Sequence, residues 1–112
     1  MHKGEFDSDT AFRHAVEELM DGLLDQLDQL DADALDPTVT PGTLTLRFET
    51  GETFILSQQT PTHELWLSAN LTAWHFVRTG GTWVERDSGQ DMLAVLGGLI
   101  GEKLGQRVVL KA

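Results

Sequence analysis

The segment from Thr10 to Asp36 has the apolar spacing of an amphipathic helix, and this spacing constrains the fold most. At about 100° per helical residue, its large apolar side chains share one arc of roughly 140°. They are Phe12, Val16, Leu19, Met20, Leu23, Leu24, Leu27 and Leu30. Residues 8–10 all offer an N-cap oxygen, and Asp36-Pro37 is a helix-terminating pair. The pattern therefore predicts a helix that continues to about Leu35 and packs one side against a core.

The opposite side of this helix is a row of acids. Glu17, Asp21, Asp25 and Asp28 follow one another at helical spacing, within about 80° of arc. Three further acids, Asp31, Asp33 and Asp36, extend the charge along the chain. Like charges at this spacing repel one another and weaken a helix, so folding alone does not explain the row. A merely solvated helix face would nevertheless show the same pattern.

The charge of the whole chain is concentrated in this region. The formal net charge is −10, and residues 1–36 hold eleven of the 18 acids but only two of the 8 bases. Metal cations or a basic protein surface are natural partners for such a charge. A nucleic acid is not, because its phosphates need a basic footprint.

After Gly42 the apolar period changes to two, which is typical of half-buried strands. Leu44, Leu46 and Phe48 form one apolar set, and Phe54 and Leu56 form the next. A two-residue turn would send these two sets to opposite faces of a hairpin. A three-residue turn, with Gly51 in the left-handed region, pairs Leu46 with Phe54 and gathers both sets on one face. We therefore predict the three-residue turn.

Further strands are predicted at 64–70, 74–78 and 82–86, with Gly80-Gly81 as a hairpin turn between the last two. We expect residues 38–41 to be a short linker and residues 1–9 to be frayed. In the strand at 64–70, Leu65 and Leu67 take the core face, so Glu64 and Trp66 point outward.

A second helix is predicted over residues 90–104, opened by Asp87-Ser88-Gly89 and ended by Gly105. Gly97 and Gly98 each cost this helix about 1 kcal/mol relative to Ala, and close approach of another backbone would compensate. Residues 108–110 form a final strand or an extended tail. Helices at both ends of a run of hairpins indicate an α+β fold. We expect one domain over residues 1–112, with two helices packed on one face of a five- to six-stranded antiparallel sheet.

Several classes of function are disfavoured by what the sequence lacks. There is no Cys, and no nucleophile elbow, phosphate-binding glycine loop or zinc-protease motif is found. No apolar run approaches the ~18 residues that span a membrane, and the first residues do not resemble a signal or transit peptide. We therefore expect a cytoplasmic protein that is not an enzyme and that uses neither membrane nor nucleic acid.

Histidines and one tryptophan add candidates for binding. His14 lies beside Glu18 and Asp21 on the helical wheel and could add a nitrogen ligand to the acidic row. We expect His63 to be exposed and His75 to stack or cap within the sheet. Outward-pointing Trp66 is a candidate protein-contact anchor, although a neighbouring loop could cover it instead.

Together these segments resemble the frataxin family in its bacterial, CyaY form. The residues that carry the resemblance are GTLTLRFETG at 42–51, Gln59-Thr60-Pro61, ELWL at 64–67, His75-Phe76, Trp83 and the second helix. The resemblance implies an α-β sandwich. It also implies a protein that binds Fe²⁺ or Fe³⁺ and acts in iron–sulfur cluster assembly as a regulator or iron donor. The implied partners are a cysteine desulfurase and a scaffold protein.

The resemblance also implies where iron and partner would bind. The iron-binding acids of the family correspond in this sequence to Asp25, Asp28, Asp31, Asp33, Asp36 and Glu49. Two acids usual in the family are Leu24 and Gln29 here, and Glu17 and Asp21 compensate one turn earlier. Partner contact falls on Trp66 and Glu64 together with Asp25 and Asp28. The chain departs from the family pattern at Ser57-Gln58-Gln59 and at Thr72-Ala73, close to Trp66.

Three hypotheses follow from the sequence. The first is a monomer that binds iron weakly and docks on the desulfurase, with iron-dependent oligomers left open. The second is an acidic interaction module that never uses metal. The third, a ferroxidase, ranks last because the helical wheel places the acids on the solvent side.

Overall fold

The computed structural model describes residues 5–30 and 33–111 and gives an α+β sandwich. The elements are α1 (Asp9–Leu27), β1 (Leu35–Thr40), β2 (Thr43–Phe48), β3 (Thr53–Gln59), β4 (Glu64–Ala69), β5 (Thr72–Thr79), β6 (Thr82–Glu85) and α2 (Met92–Leu104). The strands pair in sequence order as one antiparallel sheet of six within these residues. Buried side chains of α1, α2 and one sheet face form a single core, which confirms the predicted fold class. Within the described residues, neither helix has the length and apolar character needed to cross a bilayer.

Helix α1 begins as predicted but ends earlier. Ser8 is the N-cap, and its hydroxyl accepts a hydrogen bond from the Ala11 amide at 3.1 Å. The prediction that the helix continues to about Leu35 is wrong, because the helix ends at Leu27 and Asp28 is its C-cap. The predicted linker is wrong as well, since residues 35–40 form β1 at the edge of the sheet. Pro37 has no backbone N–H to donate to a neighbouring strand, and an edge strand tolerates such a residue.

The β2–β3 hairpin has the predicted register. Leu44 lies opposite Leu56 and Leu46 opposite Phe54, and all four side chains are buried. Gly51 has a φ of +94°, and the Phe48 amide donates to the Glu52 carbonyl across the turn at 2.9 Å. The three-residue turn is therefore confirmed.

The described part of the amino-terminal segment is packed rather than frayed. The Glu5 amide donates to the Arg78 carbonyl at 3.2 Å, and the Glu5 carboxylate lies 3.1 Å from the Arg78 Nε. The Phe6 ring contacts Phe12 at a centroid distance of 5.6 Å and Trp83 at 5.9 Å. The expectation of fraying over residues 1–9 is thus wrong for residues 5–9, and residues 1–4 lie outside the described part.

Helix α2 begins slightly later than predicted. Its N-cap is Asp91, which accepts from the Ala94 amide at 2.9 Å, and the Asp87-Ser88-Gly89 segment is a loop before it. Gly105 ends the helix with a φ of +69°, as predicted. After it, residues 106–111 form an extended tail with no strand among its described residues, and this tail covers part of α2.

Candidate functional site

The acids of α1 are exposed on the side of the helix that faces away from the core. Glu17, Asp21, Asp25 and Asp28 are all exposed, whereas Phe12, Val16, Met20, Leu23 and Leu27 are buried. Among the described residues, no Lys, Arg or His nitrogen forms an ion pair with these four carboxylates. Their charge is therefore not neutralised by bases in the described part of the chain.

The position of Asp25 and Asp28 along α1 increases their negative potential. Both lie at the carboxyl end of the helix, where the unpaired carbonyls give a partial negative charge. Basic side chains normally occupy this place, but the last turn of α1 contains none. A cation bound here would offset the repulsion between these carboxylates and the negative end of the helix.

A second group of acids meets where the end of β2 approaches the start of β1. Asp33, Asp36 and Glu49 line one shallow depression together with Arg47. The Glu49 amide donates to the Ala34 carbonyl at 3.0 Å, which fixes the two segments to each other. Asp31, another predicted ligand, lies outside the described residues. The structure thus brings three predicted ligands together but places the base Arg47 among them, opposite Asp36 in the strand register.

The acids along α1 do not all have the same surroundings. Glu17 and Asp21 border a groove of about 320 Å³ between the helix and the β1–β2 turn. Arg13 lines the same groove, and Met20 and Val39 supply apolar lining. These two acids therefore occupy a mixed-charge environment, whereas Asp25 lies outside the lining of the groove.

No preformed metal site is found in the described part of the chain. No three His, Asp or Glu side chains there converge on one point. The His14 Nε2 lies 3.8 Å from a Glu18 carboxylate oxygen, and both side chains are about 70% exposed. An exposed row of oxygen ligands without convergence binds hard cations weakly and at several positions.

Trp66 lies on the open face of the sheet, as the alternation in β4 predicted. The residue is 39% exposed, and its ring packs against the His75 ring with centroids 4.8 Å apart and planes at 77°. His75 is the direct cross-strand neighbour of Trp66. The indole N–H donates to a Glu64 carboxylate oxygen at 2.9 Å. Trp66 therefore presents mainly its ring to solvent.

Glu64 faces the same side but is not exposed. The residue is 5% exposed, and its carboxylate also accepts from the Arg86 Nη1 at 3.2 Å and the Thr62 hydroxyl at 3.3 Å. Burial alone raises the pKa of this carboxyl, but the hydrogen bonds from Trp66 and Arg86 and the Arg86 charge bring it below its ordinary value. Glu64 is thus a charged group bonded within the chain, which is a different situation from the exposed contact residue that the sequence suggested.

Comparisons with known proteins agree with this architecture. The family model for the frataxin-like domain matches residues 5–106. The iron-sulfur cluster assembly protein CyaY of Cupriavidus necator is 34% identical over 83 residues, covering 74% of this chain and 74% of that protein. Its counterpart in Cupriavidus metallidurans is 35% identical over 95 residues, covering 79% and 86%. The chain belongs to the frataxin family.

Solved frataxin structures show the same fold. Frataxin from Psychromonas ingrahamii, studied for stability within the CyaY family, superimposes with a TM-score of 0.86 at 25% identity, over 94% of this chain and 99% of that one. Trimeric yeast frataxin complexed with ferrous iron gives a TM-score of 0.68 at 18% identity, over 91% and 90%. At that identity the likeness to the yeast protein shows the frataxin fold alone.

The departures from the frataxin pattern lie next to Trp66. Ser57 is opposite Trp66 in the β3–β4 register, and Ala73 is opposite Ser68 in the β4–β5 register. These substitutions change the surface that surrounds the tryptophan on the open face. Gln58 and Thr72, in the same two segments, lie instead opposite the buried Leu65 and Ala69.

The prediction that His63 is exposed is wrong. The residue is 3% exposed, its ring stacks on Phe12 at a centroid distance of 4.8 Å, and its Nε2 lies 2.7 Å from Asp9 Oδ1. A 3₁₀ turn at 60–62 precedes it and folds the ring under α1. Alternate residues of β4 face the core. Extending this alternation back by two residues from Leu65 would have placed His63 on the core face.

The contribution of Arg86 to the surface around Trp66 is not predicted by the sequence. Arg86 follows β6, 20 positions after Trp66, and no local pattern links the two residues. Its amide donates to the His75 carbonyl at 2.9 Å, which brings the guanidinium to Glu64. This pairing depends on sheet register, so only the structure shows it.

Proposed function

We propose that this frataxin-family chain works in the cytoplasm as a binding protein of iron–sulfur cluster assembly and is not an enzyme. It binds Fe²⁺ or Fe³⁺ weakly along its exposed acids and docks on a cysteine desulfurase with its scaffold protein. The observation that carries this proposal is the pair of exposed carboxylates of Asp25 and Asp28 at the negative end of α1. The Cupriavidus relatives are named as iron-sulfur cluster assembly proteins, which supports a role in that process.

The second group of acids, which includes Asp36, and Trp66 are close enough for one partner to reach both. Asp36 lies on the edge strand β1 and Trp66 on β4, three strand spacings away. At about 4.8 Å per spacing, this separation is roughly 14 Å across the sheet. An interface of ordinary size, about 800 Å² on each protein, spans such a distance. Electrostatic attraction to the acids would then set the association rate, and Trp66 would supply apolar contact.

A second candidate function is an acidic interaction module that uses no metal. It is favoured by the lack of converging metal ligands among the described residues. Iron binding separates the two candidates, because only the first requires a carboxylate-dependent affinity for Fe²⁺. A ferroxidase centre ranks below both, since the carboxylates of Asp25 and Asp28 are exposed rather than buried as a pair.

Calorimetric titration tests the proposal. Replacing both Asp25 and Asp28 by Lys should lower the affinity for Fe²⁺ and for the desulfurase–scaffold complex, each by on the order of tenfold or more. Glu102→Lys is the matched control, because it reverses an exposed charge on α2. Unchanged affinities for both iron and the partner complex would contradict the proposal. Loss of partner affinity alone would favour the metal-free module.

A further inference from the structure

The indole N–H of Trp66 is already bonded within the chain. It donates to the Glu64 Oε1 at 2.9 Å from the same face of β4, two residues away. Trp66 is nevertheless 39% exposed. A partner that contacts Trp66 in this orientation therefore meets the aromatic ring and does not need to supply an acceptor for the N–H.

The Glu64 carboxylate is itself fixed from several sides. Arg86 Nη1 lies 3.3 Å from its Oε1 and 3.2 Å from its Oε2, and the Thr62 hydroxyl donates to the same Oε1. The side chain is 6% exposed, whereas that of Arg86 is 44% exposed. The acceptor of the indole hydrogen bond is thus a charged, buried group that Arg86 and Thr62 hold by hydrogen bonds. A hydrogen bond to such a carboxylate is stronger than one to a neutral oxygen.

His75 restrains the indole from the neighbouring strand. Its ring meets the Trp66 ring edge to face at 4.8 Å. An exposed tryptophan without such supports would sample several rotamers, and binding would have to order it at a cost in entropy. Here the hydrogen bond and the ring contact hold one orientation before any partner arrives.

From this geometry we propose that Glu64 is a positioning residue that fixes the orientation of Trp66 for docking, with Arg86 and Thr62 holding the carboxylate in place. The partner surface that receives Trp66 is then an apolar recess without an acceptor for the indole N–H. This inference rests on the proposed function only for the identity of the partner. The orientation of the indole belongs to the free protein and is measurable in it.

NMR of the indole N–H groups tests the positioning in the isolated protein. The chain has three tryptophans, and Trp66→Phe identifies the signal of Trp66. Glu64→Leu should shift that signal and raise its exchange rate with water by tenfold or more, because the N–H loses its acceptor. Glu64→Gln retains an acceptor oxygen and should restore most of the protection. Glu52→Leu is the matched control, since it removes a carboxylate that pairs with Lys103 and does not contact Trp66.

Affinity for the purified desulfurase–scaffold complex tests the consequence. Trp66→Ala should weaken binding by tenfold or more. Glu64→Leu should weaken it by at least fivefold, Glu64→Gln by less, and Glu52→Leu should leave it within twofold. An unshifted Trp66 signal in Glu64→Leu would overturn the inference, as would full affinity of that variant beside a weakened Trp66→Ala. If Trp66→Ala itself binds normally, Trp66 docking in the proposed function fails, whatever the indole signal shows.

Discussion

At the residue scale, the carboxylates of this molecule fall into two classes. Asp25 and Asp28 point into solvent, while Glu64 is buried among Thr62, Trp66 and Arg86. Acids of the first class are available to a cation or partner. Glu64, of the second class, stabilises the surface that presents Trp66, and its protonation should affect folding.

Glu64 makes the stability of the protein depend on pH. Burial raises its pKa, but the hydrogen bonds from Trp66 and Arg86 outweigh burial and leave the pKa below the ordinary 4.5. A lowered pKa contributes stability that is complete above pH 4.5 and is lost as the pH falls through the folded-state value. Glu64→Gln should lower the free energy of unfolding at pH 7 by about 1–3 kcal/mol. It should also make the free energy of unfolding fall less steeply as the pH decreases below 4.5. Urea unfolding at several pH values measures both, and an unchanged acid slope would contradict this reasoning.

Leu71 is an unfavourable residue at the β4–β5 turn. Asn70 and Leu71 have φ values of +51° and +62°, and the Leu71 side chain is fully exposed. A two-residue turn of this kind favours Gly at its second position, where a side chain costs about 1 kcal/mol. Leu71→Gly should therefore raise the free energy of unfolding by about 0.5–1 kcal/mol. Urea unfolding of the variant checks this, and a decrease in stability would show that Leu71 makes a stabilising contact.

At the element scale, two adjacent glycines of α2 have different surroundings. A Cβ at Gly97 would lie 2.8 Å from the Val108 carbonyl oxygen of the tail, whereas one at Gly98 would meet nothing within 4 Å. The predicted close approach is thus confirmed for Gly97 and wrong for Gly98. Gly101 also has a close neighbour, the Gln106 carbonyl oxygen, at 2.6 Å from a built Cβ.

These contacts predict opposite effects for the same substitution. Gly98→Ala should stabilise the protein by up to about 1 kcal/mol, because Ala has the higher helix propensity. Gly97→Ala should destabilise it, since the tail would have to move away from α2. Thermal unfolding of the two variants makes the comparison. Equal shifts of the same sign would show that the tail does not pack on α2 in solution.

The sequence predicted the elements whose pattern is local. The alternation in β2 and β3 and the position of Gly51 were enough to give the hairpin register. The end of α1 was missed because Leu30 continues the helical period although the helix stops at Leu27. Strand β1 could not be predicted from Asp36-Pro37, because this pair is typical of a helix end, although Leu35, Pro37 and Val39 alternate toward the core.

The candidate site was predictable to a different extent. The exposed acids of α1 and outward-pointing Trp66 follow from periodicity alone. The meeting of Asp36 with Glu49, and of Arg86 with Glu64, depends on which strands are neighbours. Contacts between residues far apart in the chain carry no local signal, so the structure was needed to show them.

At the scale of the whole molecule, a neutral scaffold supports one strongly acidic region. Residues 1–36 hold eleven of the 18 acids, and the rest of the chain is nearly balanced in charge. The α1 acids face away from the shared core, and Trp66 lies on the opposite, open face of the sheet. Folding does not require this distribution, because like charges along α1 weaken the helix. We therefore expect these acids to bind a metal cation or a basic protein surface.

An anaerobic titration of the ¹⁵N-labelled protein with Fe²⁺, followed in amide NMR spectra, tests that claim most directly. We predict that signals of residues 21–28 and of the Asp33, Asp36 and Glu49 region broaden first, while those of α2 remain sharp. Asp25→Asn combined with Asp28→Asn should remove the broadening along α1 and leave the rest of the spectrum unchanged. Broadening that is uniform over the chain, or that persists along α1 in this double variant, would contradict the account.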